Sequence, residues 1–352
     1  MTWLTWRQFR AQAVTAAAAL AAFAVLLAVT GPHLASLYAA SGITGCHGGS
    51  CGQLASNFLS NVAATSIDPA VYLLGIAGIV LAPAVIGIFW GAPLIARELE
   101  TGTFRLAWTQ SITRARWLAV KLALTGLAAM AVTEALSLIQ AWWAAPIGQA
   151  ARLAVGSNFP LGMSPFSLLD FDAHGITPLG YAAFAFTLGV TAGVLLRRAV
   201  PAMAITLAIF AAAQIAMPLS IRPHLFPPDH TTAALSSFTS LPTQIGPNGS
   251  FAFSPDYLPS QPGAWILSSG AVNAAGQPVS TSPAACKSPA LTVSPAWTPC
   301  LTSHGIRIAV TYQPTSRYWA IQGTETAIYL ALALALAGYC FWRLGRRRLS
   351  IR

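Results

Sequence analysis

Charge is scarce in this sequence. Only 8% of its 352 residues are Asp, Glu, Lys or Arg, against roughly a quarter in an ordinary soluble domain, while 55% are hydrophobic. That balance excludes a water-soluble globule. Lysine is rarest: Lys121 and Lys287 are the only two. Neither follows a Gly-x4-Gly element, so a phosphate-binding P-loop is missing and the chain cannot itself be a nucleotide-driven pump of that type. Histidines are few and scattered (His33, His47, His174, His224, His230 and His304). They have no His-x3-His spacing, so they form no recognisable metal or base site.

Apolar sequence is what fills the chain. Runs long enough for a hydrocarbon core of about 30 Å, which takes roughly 20 helical residues, occur six times: near Ala13 to Leu34, Ala70 to Leu94, Trp117 to Trp143, Pro178 to Leu196, Val200 to Ser220 and Gly323 to Trp342. The expected fold class is therefore an all-α polytopic membrane protein with six transmembrane helices. The first run follows a basic N-terminus but exceeds the 7 to 15 apolar residues usual for a cleavable signal, so it reads as a retained anchor.

The net charge of +10 is distributed as the positive-inside rule requires. With a cytoplasmic N-terminus, fourteen of the nineteen basic residues fall on the inside, among them Arg7, Arg10, Arg197, Arg198 and five in the C-terminal tail. Both termini are then cytoplasmic. Basic juxtamembrane ends favour anionic lipid headgroups, so membrane lipid is a partner and no nucleic acid is needed to explain the charge. Cys46 and Cys51 fall in the first outside loop and Cys286 and Cys300 in the last, while Cys340 sits inside a span. Two local pairs in the oxidising compartment predict the disulfides Cys46–Cys51 and Cys286–Cys300.

Between the fifth and sixth spans, over 221–322, Pro, Ser, Thr and Gly replace Ala and Leu. This is the expected extracytoplasmic domain, a small folded cap. Ser250 to Tyr257, Ala264 to Ser269 and Ile306 to Tyr312 have the aromatic and β-branched content of short strands. The chain thus divides into 1–220 with helices 1–5, the cap at 221–322, and 323–352 with helix 6 and a basic tail. The outside segment from Pro146 to Thr177 carries Phe159, Met163, Phe166, Leu168, Leu169 and Phe171, which predict an interfacial stretch in the outer headgroup layer. Gly87-x3-Gly91 and Gly189-x3-Gly193 are packing sites for close helix approach, the partner helix lying in this chain or another.

Short catalytic matches fail in context. Gly48-x-Ser50-x-Gly52 fits a nucleophile elbow but lies in a glycine-rich hairpin without the required strand and helix. Asp170-Phe171-Asp172 resembles a sugar-transferase Asp-x-Asp, yet lies outside with no nucleotide fold. Asn248-Gly249-Ser250 matches a glycosylation acceptor. Glu134, midway through the third span, is the single acid well inside a span and the expected buried formal charge. It must face a polar interior, be protonated or find a partner. A substrate or proton contact and a plain helix–helix hydrogen bond both remain open for it. Gln140 and Gln214 join it as candidates for a substrate path.

The one long charged interval between spans, Ala96 to Lys121, carries the functional signal. It holds Arg97-Glu98-Leu99-Glu100-Thr101-Gly102-Thr103, then Arg105, Trp108-Thr109-Gln110-Ser111, Arg114, Arg116, Trp117 and Lys121. Over about 26 residues it resembles the permease subunit of bacterial type-2 ATP-binding-cassette (ABC) transporters, whose members often carry Pro where Gln110 stands. The resemblance implies a cytoplasmic coupling helix near 96–117 that docks on an ATPase subunit, with Arg97, Glu98, Glu100, Thr101, Gly102, Thr103 and Arg105 as coupling residues. Physically, a short amphipathic helix in the membrane plane, broken at Gly102, would turn Glu98 and Glu100 to the cytosol and Arg105, Arg114 and Arg116 to lipid phosphate or partner acids. The expected protein is the membrane half of an exporter of amphipathic, drug-like or lipid-like substrate in the bacterial plasma membrane. It is no enzyme itself: no cofactor is expected in this chain, and ATP and Mg belong to two partner ATPase subunits. A second permease copy or sister permease completes the path. The alternatives are a sensor or scaffold that binds ligand through the cap, and a membrane enzyme built on Asp170, Asp172 and His174.

Overall fold

A computed structural model describes residues 2–46, 51–102, 113–154, 165–238, 243–245, 250–255, 258–261, 263–286 and 297–346. Six helices are long and apolar enough to cross a membrane. Span 1 is Thr2–Ala40. Span 2 is Ile67–Ile86, continued through a π-helical turn at Gly87–Gly91 into Ala92–Thr101. Span 3 is Arg114–Leu153, span 4 Thr177–Leu196 and span 5 Ala199–Ala216, which passes into a second π turn at Met217–Ile221. Span 6 is Tyr318–Arg346. A proline ring clashes with the carbonyl four residues earlier in a regular helix. A widened turn, just before Pro93 in span 2 and around Pro218 in span 5, relieves that clash.

Span 4 is the axis of the bundle. It is buried on every face, from Tyr181 through Val194, and touches spans 2, 3, 5 and 6. Gly87 and Gly91 lie against it, and Gly189 and Gly193 answer from span 4: the two glycine pairs expected as packing sites are each other's partners within this chain. A Cβ on Gly87 would sit 2.7 Å from Ala185 O, and one on Gly193 2.6 Å from Ala92 O. Only glycine lets the two backbones come this close. Span 1 is mostly exposed by comparison, packing along span 3 through Leu27 and Leu34.

Between spans 1 and 2 the expected outer loop is instead a helix, Cys51–Ala64, tied to the end of the first span region by the Cys46–Cys51 disulfide. Ala55, Phe58, Leu59 and Val62 recur at helical spacing and form its buried face. The 146–177 segment also differs from expectation. Span 3 continues through Pro146 to Leu153, and Leu168–Ala173 forms a short helix. Phe166 and Phe171 stack 6.1 Å apart under Tyr318 and Trp265, buried in protein where headgroup contact was expected. Phe159 and Met163 lie outside the described residues.

The cap contains the three-stranded antiparallel sheet β1 (Asp229–Ala234), β5 (Arg307–Gln313) and β4 (Trp265–Val272), with β5 central, and the hairpin pair β2 (Thr243–Ile245) and β3 (Phe251–Phe253). Asp229 pairs with Tyr312 and Val272 with Arg307, and a bulge interrupts β4 between Ile266 and Ser268. Phe251, Phe253, Trp297, Leu301, Ile308 and Val310 fill its core, where the Cys286–Cys300 disulfide is also seated. Arg317 fastens the cap to the start of span 6 by bonding Asp229 Oδ1 at 2.8 Å and Gln313 Oε1 at 3.0 Å.

Candidate functional site

At the end opposite the cap, span 2 runs directly into the charged interval. Arg97 to Thr101 continue its last turns, and Gly102 ends them at φ 72°, the left-handed position that glycine takes without a Cβ penalty. The in-plane helix expected from the sequence is therefore, over these residues, the extension of a span. Glu98 turns inward to an ion pair with Lys121 of span 3, whose side chain is 4% exposed. The ammonium also lies 4.9 Å from the Trp117 ring centroid. Glu100 accepts the N–H of Ala199, the first residue of span 5, at 2.9 Å. Helix N-termini leave such donors unsatisfied and carry partial positive charge, so a carboxylate there is favoured twice. The expected cytosolic direction is thus corrected for Glu98, which a buried lysine holds, whereas Glu100 stays exposed and also caps an orphan helix end within the chain. Only Arg197 and Arg198 separate spans 4 and 5 in the chain, with Arg197 at φ 54°, the only non-glycine residue at positive φ among those described. Arg97, Arg116, Arg197 and Arg198 are exposed at this end. Thr103 and Arg105 lie outside the described residues.

At the cap end, just past the π turn of span 5, Arg222 is 2% exposed and holds two carboxylates. Its Nε and Nη2 donate to Glu325 of span 6 at 2.8 and 2.9 Å, and Nη2 also pairs with Asp172 of the short helix. The Tyr181 hydroxyl from span 4 is 2.6 Å from Glu325 Oε1 and 3.0 Å from Asp172 Oδ1. The guanidinium rests 4.0 Å over the Phe171 ring. A planar fork that meets carboxylates through several donors is what arginine supplies and lysine does not. Burial holds the Asp172 carboxyl above its usual range, and the Arg222 charge offsets only part of that rise. One cluster thereby joins spans 4, 5 and 6 and the short helix.

Beside it lies a cavity of about 600 Å³, bounded by spans 2 and 3, the short helix, the start of span 6 and the cap. Its floor is the Ala/Gly face of span 3, and Tyr72, Asp170, Tyr318 and Trp319 stand around it. Tyr72 donates its hydroxyl to Asp170 Oδ1 and Ser167 donates to Oδ2 at 2.9 Å.

A family model described as ABC-2 membrane transporter related matches residues 17–222, more than half of the chain. The chain belongs to that family. No curated protein and no solved structure matches it. An ABC-2 permease is a multi-pass transmembrane component rather than a nucleotide-binding one, and membership implies an ATPase partner. The matched region stops at Arg222, so the ion cluster joins its last residue to Glu325, which lies beyond it.

Of the expected substrate-path residues, Glu134 is half-buried and its Oε2 has no hydrogen-bond partner among the described residues, while Gln140 is fully buried against Gly75 and reaches Tyr72 O at 3.5 Å. Gln214 accepts the Tyr329 hydroxyl at 3.1 Å. None of the three lines the cavity. Glu134 is also not the sole internal charge: Asp68, Lys121, Asp170, Asp172, Arg222 and Glu325 are all buried. Sequence reading placed Arg222 and Asp172 in outside segments and passed over Glu325. An acid two residues inside the sixth apolar run and an arginine two residues past the fifth were the available signal.

Proposed function

We propose that this ABC-2 permease is the membrane half of an ATP-driven exporter. In this reading the termini and the Ala96 to Lys121 interval are cytoplasmic and the cap lies outside, in a bacterial plasma membrane. Two separately encoded ATPase subunits, carrying ATP and Mg, dock at the charged end, and a second permease completes the translocation path. The observation that carries it is the double attachment of the interval, through Glu98 to span 3 and through Glu100 to span 5. A push on the end of span 2 then reaches span 5, and span 5 carries Arg222 at its far end. Movement of the ATPases is in this way delivered to the contacts that hold spans 4, 5 and 6 together. The apolar spans and the Ala-lined cavity suit an amphipathic substrate.

Because Glu98 turns inward and Glu100, though exposed, is bonded to the start of span 5, docking falls to the remaining exposed side chains of the same turns. The test is co-purification of the full chain with its ATPase. Arg97→Glu combined with Thr101→Glu is expected to lower recovery of the ATPase by about tenfold, the loss that one to two complementary contacts produce. Undiminished recovery and undiminished ATPase stimulation would sink the docking reading. Recovery of the chain with no ATPase at all under any condition would favour a sensor or scaffold.

A further inference from the structure

We infer that the cap-end cavity is a binding site for an organic cation with an apolar body, the substrate class of the exporter; the inference rests on the transport reading above. Asp170 is 8% exposed, lines the cavity and has only neutral donors, Tyr72 and Ser167. Among the described residues, the other fully buried carboxylates each have a basic side chain: Asp172 and Glu325 share Arg222, and Asp68 has the His33 imidazole at 3.4 Å. Glu134 has no basic side chain either, but it is only half-buried and does not line the cavity. A desolvated carboxylate without a cation is costly, and a cationic ligand in the cavity supplies the missing charge.

The rest of the lining suits the same ligand. Tyr72, Tyr318 and Trp319 present aromatic surface beside Asp170, the combination by which proteins hold ammonium and related cations. Ala141, Ala145 and Gly148 give a smooth apolar floor along span 3 for the ligand's body. Arg152 also lines the cavity, but it is exposed at the end of span 3 and is absent, like Asp170, from the ion pairs among the described residues. It sets a positive rim that a cation must pass, whereas the buried charge at the wall is negative. Trp319 is 64% exposed, so the side of the cavity it borders is open to an entering molecule. Occupancy also bears on transport: Asp170 and Asp172 sit two residues apart on one short helix, the first lining the cavity and the second bonded to Arg222. A ligand that draws on Asp170 therefore acts on the helix that helps hold span 5.

The experiment measures equilibrium binding of radiolabelled tetraphenylphosphonium to the full chain in nanodiscs, with empty nanodiscs subtracted and without ATPase or ATP. Tetraphenylborate, of the same shape and opposite charge, is the matched comparison. Saturable binding of the cation is expected, with the anion weaker by about tenfold or more, as loss of one desolvated charge contact implies. Asp170→Asn should reduce cation affinity by about the same factor and narrow the preference. Ala145→Trp, at an exposed position on the cavity wall, should weaken both ions by filling the space. If Asp170→Asn does not fold, the charge preference of the unaltered chain and the Ala145→Trp result still decide. Equal affinity for the two ions, or cation binding untouched by Ala145→Trp, overturns the site. Saturable binding of the cation without its ATP-driven export in the assembled transporter refutes the export reading and leaves the site standing. ATP-driven export of other compounds with no cation binding does the reverse.

Discussion

The two ends of the helical body are held by different kinds of contact. At the cap end Arg222, Asp172, Glu325 and Tyr181 form one closed cluster, almost wholly buried and supported by the Phe171 ring. At the opposite end the attachments are separate: one ion pair from Glu98 to Lys121, and one carboxylate, itself exposed, on the N–H of Ala199. A buried multidentate cluster has a single good arrangement, and partial loss of it strands charge in a low dielectric. A surface carboxylate at a helix end is worth little and is readily remade. The cap end is thus built to hold one arrangement until something strong acts on it, whereas at the opposite end the Glu100 contact with span 5 is free to move and re-form beside the buried Glu98–Lys121 pair. Span 5 runs between them, with a π turn next to the rigid end where a helix gives most easily.

The largest effect should follow from opening the closed cluster. Arg222→Met leaves Asp172 and Glu325 buried without a cation, which costs about 3–5 kcal/mol. Thermal unfolding in detergent should show a markedly lowered midpoint. Adding Asp172→Asn and Glu325→Gln to Arg222→Met should recover most of the loss, because no formal charge then remains at the site. If Arg222→Met melts like the unaltered chain, the contrast between the ends fails.

Much of the helical body was readable from sequence, since 20-residue apolar runs have few alternatives in a chain this poor in charge. Span ends were not: spans 1 and 3 run well past the apolar windows, as Thr2–Ala40 and Arg114–Leu153, because helix propensity continues where hydrophobicity stops. In the cap, β3, β4 and β5 fall on segments whose aromatic and β-branched residues marked them, whereas β1, DHTTAA, has too little apolar content to announce itself. The cluster was hidden for a different reason. Its charges are separated by 50 and 103 positions, and each alone reads as an ordinary residue at a span end. Glu98 and Glu100 were found but their direction was not, since only the fold shows that Lys121 and the start of span 5 lie beside them.

Between the two ends, the crossing of spans 2 and 4 should respond less than the cluster but still sharply. A Cβ on Gly189 would sit 2.7 Å from Ala92 N, backbone that cannot swing aside. Gly189→Ala should cost about 1–3 kcal/mol as overpacking, although alanine is otherwise the better helix former by about 1 kcal/mol. Gly78, in the same span as Gly87, has nothing within 4 Å of an added Cβ. Gly78→Ala should therefore leave the melting midpoint level or slightly raised. Equal behaviour of the two substitutions would mean that the crossing is looser than its glycines imply.

The smallest loss of stability should come from Glu100, and it separates holding from coupling. Glu100→Ala removes one hydrogen bond and one favourable charge from the start of span 5, a loss of about 1 kcal/mol. The melting midpoint should barely move, and the ATPase should still co-purify, because the exposed side of the turn at Arg97 and Thr101 is untouched. Substrate moved per ATP hydrolysed in proteoliposomes should nonetheless fall, since span 5 is no longer fastened to the end of span 2. Glu100→Gln keeps an acceptor oxygen and gives up only the charge, so it should retain more of the coupling than Glu100→Ala. A Glu100→Ala protein that transports at full efficiency would show that force reaches span 5 by another route, with Arg197 and Arg198, the direct link from span 4, the next contacts to change.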